Sequence, residues 1–479
     1  MPASVRRQTI IDTLFLLVAL ATFFFVTTRS ALVMDEDIWW HLRAGRWMLD
    51  HRAVPVKDMF SAHTMGQPWI AYTWLFDVLV SWIFDSWGYR GMLAFTTTIA
   101  AAYTSCLIVF LARFMNLRRA MILAFLAWIA LMPLKWPRPW LFTILFFAIE
   151  LALLWIARER DRPVWLLPIV PLFALWANIH IQFVYGLALL GLFAIEASLP
   201  ARFGGKPWGK PRARRLWILL AASIAATLLN PYGWNLYRVV FQYATQSAPL
   251  LYVQEMQSLP FRIPSHWVFL LLICAAIFVL GAAREKSVLL ISLLAAAGYC
   301  GFRSQRDIWF PVTVALLALS SEMRKRTPAF ARSRCIYAVA IPGGILLTLG
   351  LLTIDPRFSD VAMSKAVADH FPEDACEYIE RAHLTGPLFN SYNWGGYLIW
   401  RLPNMPVSID GRANLYEQYL PTAVNTIRGQ SNWSLDPDLR KARTIVLDHD
   451  GPLTSILRVN PRFRLLYEDS TASVFEPVW

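Results

Sequence analysis

Two aspartates flanking a single residue, Asp35 and Asp37, stand just ahead of Trp39, Trp40 and His41. A carboxylate can take a proton from an attacking hydroxyl or amine. His41, one helical turn beyond Asp37, falls on the same helix face, so Asp37 is the first choice for a base and His41 for its orienting neighbour. Asp35 is the better suited to cap the following helix, whose positive end favours acids. Farther along come Arg138 between two prolines, the run Asn178-Ile179-His180-Ile181-Gln182, and Arg303 with Arg306. A guanidinium fork matches a phosphate, so Arg138, Arg303 and Arg306 are candidate phosphate ligands, with Asn178, His180 and Gln182 as orienting groups. Acids that activate an acceptor and arginines that hold a phosphate suit group transfer from a phosphate-bearing donor. Plainer readings stand beside these. His180 can be a satisfied interfacial histidine, the arginines can reach for lipid headgroups, and Asn230-Pro231-Tyr232-Gly233 reads first as a helix stop and turn.

The elements that position these residues are set by a chain of 479 residues that is 57% hydrophobic with a formal charge of +13. Ile10 to Met34 is long enough to span a bilayer, which takes about 20 residues, and it lacks a small-residue cleavage site, so it reads as an uncleaved signal anchor. Further apolar runs lie at Tyr89 to Ala112, Ala120 to Leu134, Trp140 to Ala157, Val164 to Asn178, Phe183 to Leu199, Leu216 to Leu229, Trp267 to Ala283, Val288 to Gly301, Ile308 to Ser320 and Ile336 to Ile354. These give about eleven transmembrane helices, the only way one apolar segment can satisfy its backbone in hydrocarbon. With Arg6 and Arg7 inside, alternation places the segments holding Arg113/Arg118/Arg119, Arg158/Arg160/Arg162, Arg202 to Arg215, Arg284/Lys286 and Arg324 to Arg334 on the cytoplasmic side. The basic charge is thus a topology signal, and nucleic-acid binding is not expected. The register requires that Trp74 to Trp87, too short to cross, form an interfacial or re-entrant helix. Abundant Trp and Tyr near span ends fit an aromatic belt.

The expected fold class is therefore an α-helical polytopic membrane domain, residues 1–355 with a first outer loop at 35–88, followed by a soluble α/β domain, residues 356–479, on the outer face. In the latter, PLFNSY, MPVSID, ARTIVLD, FRLLYED and ASVFEP read as strands. Helices are expected at Ala366 to Ala382, Gly395 to Arg401, Tyr416 to Arg428 and Pro452 to Val459, with Gly395-Gly396 as a tight turn. Cys376 is the only cysteine there, so no internal disulfide can form. No phosphate loop, no Cys/His metal spacing and no strong internal repeat is present.

On this topology the acids, Lys135 to Pro139, Asn178 to Gln182, Asn230 to Gly233 and Arg303 to Asp307 all gather at the outer ends of spans. Polar groups at such depth are costly unless they pair or serve a pathway. A transporter or flippase of a lipid-linked or anionic substrate would instead carry polar residues at mid-membrane depth on broken helices. Most spans are clean at their centres, which favours chemistry at one surface. A non-catalytic envelope scaffold is the third reading.

The run DEDIWWHLRAGRWMLDHRAVPVKDMFSAHTMGQPWIAYTWL, Asp35 to Leu75, resembles bacterial multi-span proteins reading D-x-D-x-W-W-H-L-x-x-G, V-P-x-x-D-x-F-S, G-x-x-W and E-W-L. Those proteins resemble the GT-C glycosyltransferases, which include the polyprenyl-phosphate-sugar transferases. Further matches are Arg138-Pro139 with Phe142-Thr143, Trp176 to His180, Asn230 to Gly233, Asn393 to Tyr397, and Ile409-Asp410-Gly411-Arg412. The resemblance implies an inverting transfer, on the periplasmic face of a bacterial cytoplasmic membrane, from a lipid-phosphate sugar to a lipid, glycan or protein acceptor. It also implies an acid of the first outer loop, Asp37 or Asp35, as base or ligand. A divalent ion, Mg or Mn, is compatible with Asp35 and Asp37. Where relatives carry the Glu of E-W-L this chain has Thr73, so that carboxylate's role is lost or passes to Asp77 or Asp58.

Overall fold

The computed structural model describes residues 10–11, 13–14, 16–17, 20–21, 35–160, 162–199, 210–324, 334–430 and 432–478. The N-terminal anchor with Arg6 and Arg7, and most of the basic segments around 202 and 325–333, lie outside them. By compactness the chain forms two units: residues 1–30, 93–233 and 255–354, and residues 31–92, 234–254 and 355–479. Residues 31–92, which include the first outer loop, fall in the same unit as residues 355–479.

The first unit is helical. Among the described residues three helices are long and apolar enough to cross a membrane: Trp74–Leu111, Trp140–Arg160 and Pro264–Ala282. Shorter apolar helices cover Pro163–Ile179, Phe183–Ser198, Val288–Arg303 and Ala340–Ile354. Each later candidate span coincides with helical structure. Pro264–Ala282 turns Leu271, Ile277 and Phe278 outward, an apolar face that hydrocarbon covers well. Inside, Phe147 of Trp140–Arg160 packs edge-on against Trp309 and Phe310 at ring distances of 5.0 Å. One carboxylate interrupts an otherwise clean helix centre, and a second lies near a helix end. Glu150 is fully buried, its oxygen seated where a side chain on Gly186 would stand. Glu196 pairs with Arg158 at 2.6 Å.

Trp74–Leu111 holds the stretch expected to lie along the interface. The helix is kinked at Gly88, whose φ of 57° and ψ of −148° are non-helical, a conformation that glycine alone adopts without strain. A Cβ there would also meet the carboxylate of Asp360 at 2.7 Å. The break separates 74–87 from the apolar run beginning at Tyr89.

The second unit carries a four-stranded mixed sheet of β1 (Leu388–Asn390), β2 (Thr444–Asp448), β3 (Phe463–Glu468) and β4 (Ala472–Pro477), in the order β1-β2-β4-β3. β1 runs parallel to β2, and β4 is antiparallel to both β2 and β3. Phe389, Ile445, Leu447 and Phe475 form its core with Leu453 and Leu457 of the helix Pro452–Val459. MPVSID is not a strand. Its backbone is bonded both to the first outer loop, Val407 donating to Phe60 and accepting from Ala62, and to β1, Pro406 accepting from Leu388, and Pro406 removes a ladder donor. The single helix expected at Ala366 to Ala382 is two, Asp360–Ala368 and Glu373–Arg381, with Pro372 between them. Gly395 and Gly396 form the first turn of the helix Gly395–Arg401 rather than a tight turn. They are glycines because a Cβ would lie 2.1 Å from the carbonyl of Ile409 and 2.6 Å from that of Glu36.

Candidate functional site

In the second unit the helix Ile38–His51 follows the paired acids directly. Its cap residue is Asp37, whose side chain makes no capping hydrogen bond. Asp35, expected to be the cap, is buried and accepts the amide of Asp37 at 3.2 Å, closing a turn that fixes the Asp37 backbone. Asp37 itself is half-buried. Its carboxylate lies on Gly411, where an added Cβ would come within 1.7 Å of Oδ1. The glycine of Ile409-Asp410-Gly411-Arg412 is therefore the seat of the candidate base.

His41 is buried, stacked on Trp40 at 3.6 Å, and its Nδ1 meets Oδ1 of Asp77 at 2.6 Å. Asp77 lies one turn beyond Thr73, whose carbonyl accepts the Asp77 amide. The approach of the two helices explains Gly45, since a Cβ there would stand 2.0 Å from the Asp77 carbonyl. Trp39 and Trp40 do not serve an aromatic belt. Trp39 is 3% exposed, at 5.1 Å from Tyr397 and 5.7 Å from Phe371, so the tryptophan pair docks the first loop onto the C-terminal residues.

Asp58 has a different office. Arg412 bonds Asp58 Oδ1 at 2.6 Å and Asp410 Oδ2 at 2.7 Å, with all three side chains buried. Thr64 donates to Asp58 and Tyr416 donates to Asp410. Burial would push the Asp58 carboxyl up, but the Arg412 guanidinium and the bonds from Arg412 and Thr64 hold it below the usual carboxylate range. Asp58 is thus committed to a buried ion pair, which leaves Asp77 as the carboxylate beside Thr73.

The remaining candidates belong to the first unit. Arg138 is buried with its guanidinium 5.1 Å from the Trp140 ring, and Arg306 lies over the same ring at 5.5 Å while pairing with Glu255. Arg303 is exposed at the end of its helix. Trp176 Nε1 donates to Thr143 Oγ1 at 2.9 Å, and Thr143 Oγ1 lies 2.9 Å from His180 Nδ1. That pair of contacts joins the Phe142-Thr143 and Trp176 to His180 motifs. Burial, then the charge of Arg306, holds His180 well below the ordinary histidine value, so the ring is neutral near pH 7. Asn178 gives its amide group to the carbonyls of Ala174 and Leu229 at 2.7 and 2.8 Å, tying down the chain ahead of the Asn230 to Gly233 turn. In that turn Gly233 has a φ of 51°, as a helix stop requires.

Gln182 Nε2 donates to Asp307 Oδ1 at 2.8 Å. Burial pushes Asp307 up to about 6, against the Tyr185 hydrogen bond and the charges of Arg306 and Arg303. Between about pH 4 and 6 the folded chain therefore keeps a proton that the unfolded chain releases, and stability falls as pH rises through that window. Asp307→Asn, which keeps an oxygen for Gln182, is expected to remove that fall. Thermal unfolding of both proteins in one detergent at pH values on either side of the window measures it, the variant gaining on the parent at the upper pH.

Sequence reasoning missed Glu255, Tyr185 and the use of Asp307; Glu255 lies in a short irregular stretch with no motif to mark it. Among the described residues no group of three or more His, Cys, Asp or Glu could hold a metal ion. Asp35 and Asp37 supply two ligands at most, and His41 gives its Nδ1 to Asp77.

An apolar helical unit and a small mixed sheet make up a fold that is similar to those of solved membrane-protein structures. ArnT from Cupriavidus metallidurans in the apo state is similar over 96% of this chain and 97% of its own, with a TM-score of 0.54 and 13% identity. The same enzyme bound to undecaprenyl phosphate gives 0.51 and 14% over the same shares. The oligosaccharyltransferase AglB from Archaeoglobus fulgidus, in complex with an inhibitory peptide and a dolichol-phosphate, gives 0.57 and 10% over 91% of this chain and 69% of its own. At such identities the likeness is one of fold. No protein-family model matches the sequence, and no curated protein does.

Proposed function

We propose that this chain is a membrane glycosyltransferase that moves a sugar from a polyprenyl-phosphate donor to a hydroxyl or amine acceptor. The observation that carries the reading is the Asp37 carboxylate, half-buried and seated on Gly411, in a fold whose solved examples hold undecaprenyl phosphate and dolichol-phosphate. Asp37 accepts the acceptor's proton as its oxygen or nitrogen bonds to the anomeric carbon. The bond from that carbon to the phosphate oxygen breaks in the same step, and the phosphate leaves with the electron pair. Single displacement inverts the anomeric centre. Arg306 and Arg138, with Arg303 nearer solvent, are assigned to the phosphate, and His41 through Asp77 to the orientation of the helix that follows Asp37. The chain crosses the cytoplasmic membrane about eleven times with its N-terminus inside, and residues 356–479 lie outside.

The test is turnover. Purified protein in liposomes is incubated with labelled undecaprenyl-phosphate sugars and an envelope lipid and glycan extract, following release of undecaprenyl phosphate. Transfer from at least one donor is expected. Binding without transfer from any donor, or net movement of the intact donor between leaflets, would replace the transferase by a scaffold or a flippase. A reporter at the C-terminus read in the cytoplasm would overturn the topology.

A further inference from the structure

Arg138 and Arg306, assigned above to the donor phosphate, both lie near one indole, that of Trp140, at 5.1 and 5.5 Å. The group that meets Arg306 in this structure is a carboxylate. Arg306 Nη2 binds Glu255 Oε1. Burial would raise Glu255, yet the charges of Arg306 and then of Arg138 hold it below the ordinary glutamate value, so the carboxylate is ionised and felt by both guanidiniums. Carboxylate and phosphate offer an arginine the same pair of acceptor oxygens.

Glu255 stands in a short turn, Gln254–Met256. The following residues are fastened to the arginine segment by backbone, Gln305 N donating to Gln257 O at 2.9 Å and Gln305 Nε2 to Ser258 O at 3.4 Å. The carboxylate is 29% exposed and Arg306 18%, so an incoming anion can reach the pair. We propose that Glu255 is an internal competitor for the anion site: its carboxylate occupies the position of a lipid-linked phosphate between Arg306 and Arg138, and the phosphate headgroup binds by displacing it.

Two consequences follow. With Glu255 in place, part of the two-arginine charge is already met, so simple anionic lipids gain little there. A long-chain lipid phosphate, held also by its apolar tail, supplies the remaining free energy to move the glutamate aside. When the phosphate leaves, Glu255 returns and speeds its departure, which gives the spent carrier a way out. The inference rests on the assignment of these arginines to the phosphate.

The experiment is equilibrium binding of undecaprenyl phosphate to the full chain in phosphatidylcholine nanodiscs, with inorganic phosphate as the free-anion arm. Glu255→Gln removes the competing charge. If the glutamate-bound form is populated about ten to one, the variant should bind undecaprenyl phosphate roughly tenfold more tightly. Glu255→Asp, which keeps the charge, should stay near the parent, and Arg306→Met should abolish the gain in the Glu255→Gln background. Weaker or unchanged binding by Glu255→Gln, while Arg306→Met still abolishes binding in the parent, overturns the competitor and leaves the phosphate assignment standing. Binding indifferent to Arg306→Met overturns both. An equal gain for inorganic phosphate reassigns the site to a free anion and overturns the lipid occupant. Unfolding midpoints of all variants report whether any change is one of folding.

Discussion

Asp37→Asn is expected to reduce sugar transfer by about 10²- to 10⁴-fold, the contribution usual for a positioned general base. The fall should be in kcat with KM little changed, since the carboxylate acts on the acceptor proton in the transition state and not on the donor's tail. The structure makes this substitution a clean test. Asparagine has the shape of aspartate, so the contact with Gly411 is preserved. The Asp37 side chain makes no capping bond, so the exchange removes none from the helix. Asp35→Asn serves as the comparison. It keeps an oxygen for the Asp37 amide and should retain most of the activity. Gly411→Ala approaches the same carboxylate from below, where a methyl group 1.7 Å from Oδ1 must displace it. That variant should lose activity with the carboxylate still present. Full activity in Asp37→Asn would remove it from the chemistry. A loss equal to that of Asp35→Asn would make the pair a structural turn.

The parts of this arrangement that the sequence made legible are those written locally. Apolar runs mark helices because hydrocarbon leaves a backbone no alternative, and each of the later runs is helical. The break between Trp87 and Tyr89 followed from length and charge alternation, and it falls on Gly88. Long-range partnerships had no such signature. Trp39 looked like a headgroup anchor because its burial depends on Phe371 and Tyr397, far along the chain. MPVSID carries the alternation of a strand, yet its backbone is shared between residues 60–62 and Leu388. Asp35 and Asp37 were each legible as acids at a helix start, but which of them caps depended on a turn one residue long. Glu255 had neither motif nor periodicity, and only the fold brings it to Arg306. Some distant pairs left a trace at both ends: Asp58 lies in V-P-x-x-D and Arg412 in Ile409-Asp410-Gly411-Arg412, two motifs that are one structure.

That structure is the basis of the second large effect. Arg412→Met should destabilise the second unit by about 3 to 5 kcal/mol, the cost of breaking a buried pair from one side. Arg412 is 2% exposed, Asp58 and Asp410 are not exposed at all, and the guanidinium bonds both through separate nitrogens. It also lies 4.7 Å from the Trp69 ring and 5.3 Å from that of Phe60, so no water replaces it without opening the loop. Arg412→Lys should recover only part of the loss, because one ammonium cannot hold both carboxylates in the plane that the fork provides. Adding Asp58→Asn to Arg412→Met should recover part of the loss, Asp410 still lacking its partner, and the coupling between the two changes is measured by a double-mutant cycle of unfolding midpoints. The pH dependence separates this account from simple loss of packing. In the parent, Asp58 lies below its ordinary value, so its contribution is complete above about pH 4 and is lost as pH falls through the lowered value. In Arg412→Met the lowering charge is gone and burial, which raises the group, prevails. The folded variant then holds a proton that the unfolded chain releases, and stability declines as pH rises. The parent gains stability on leaving acid while the variant loses it, and two slopes of the same sign would show that Asp58 and Arg412 do not act as a pair.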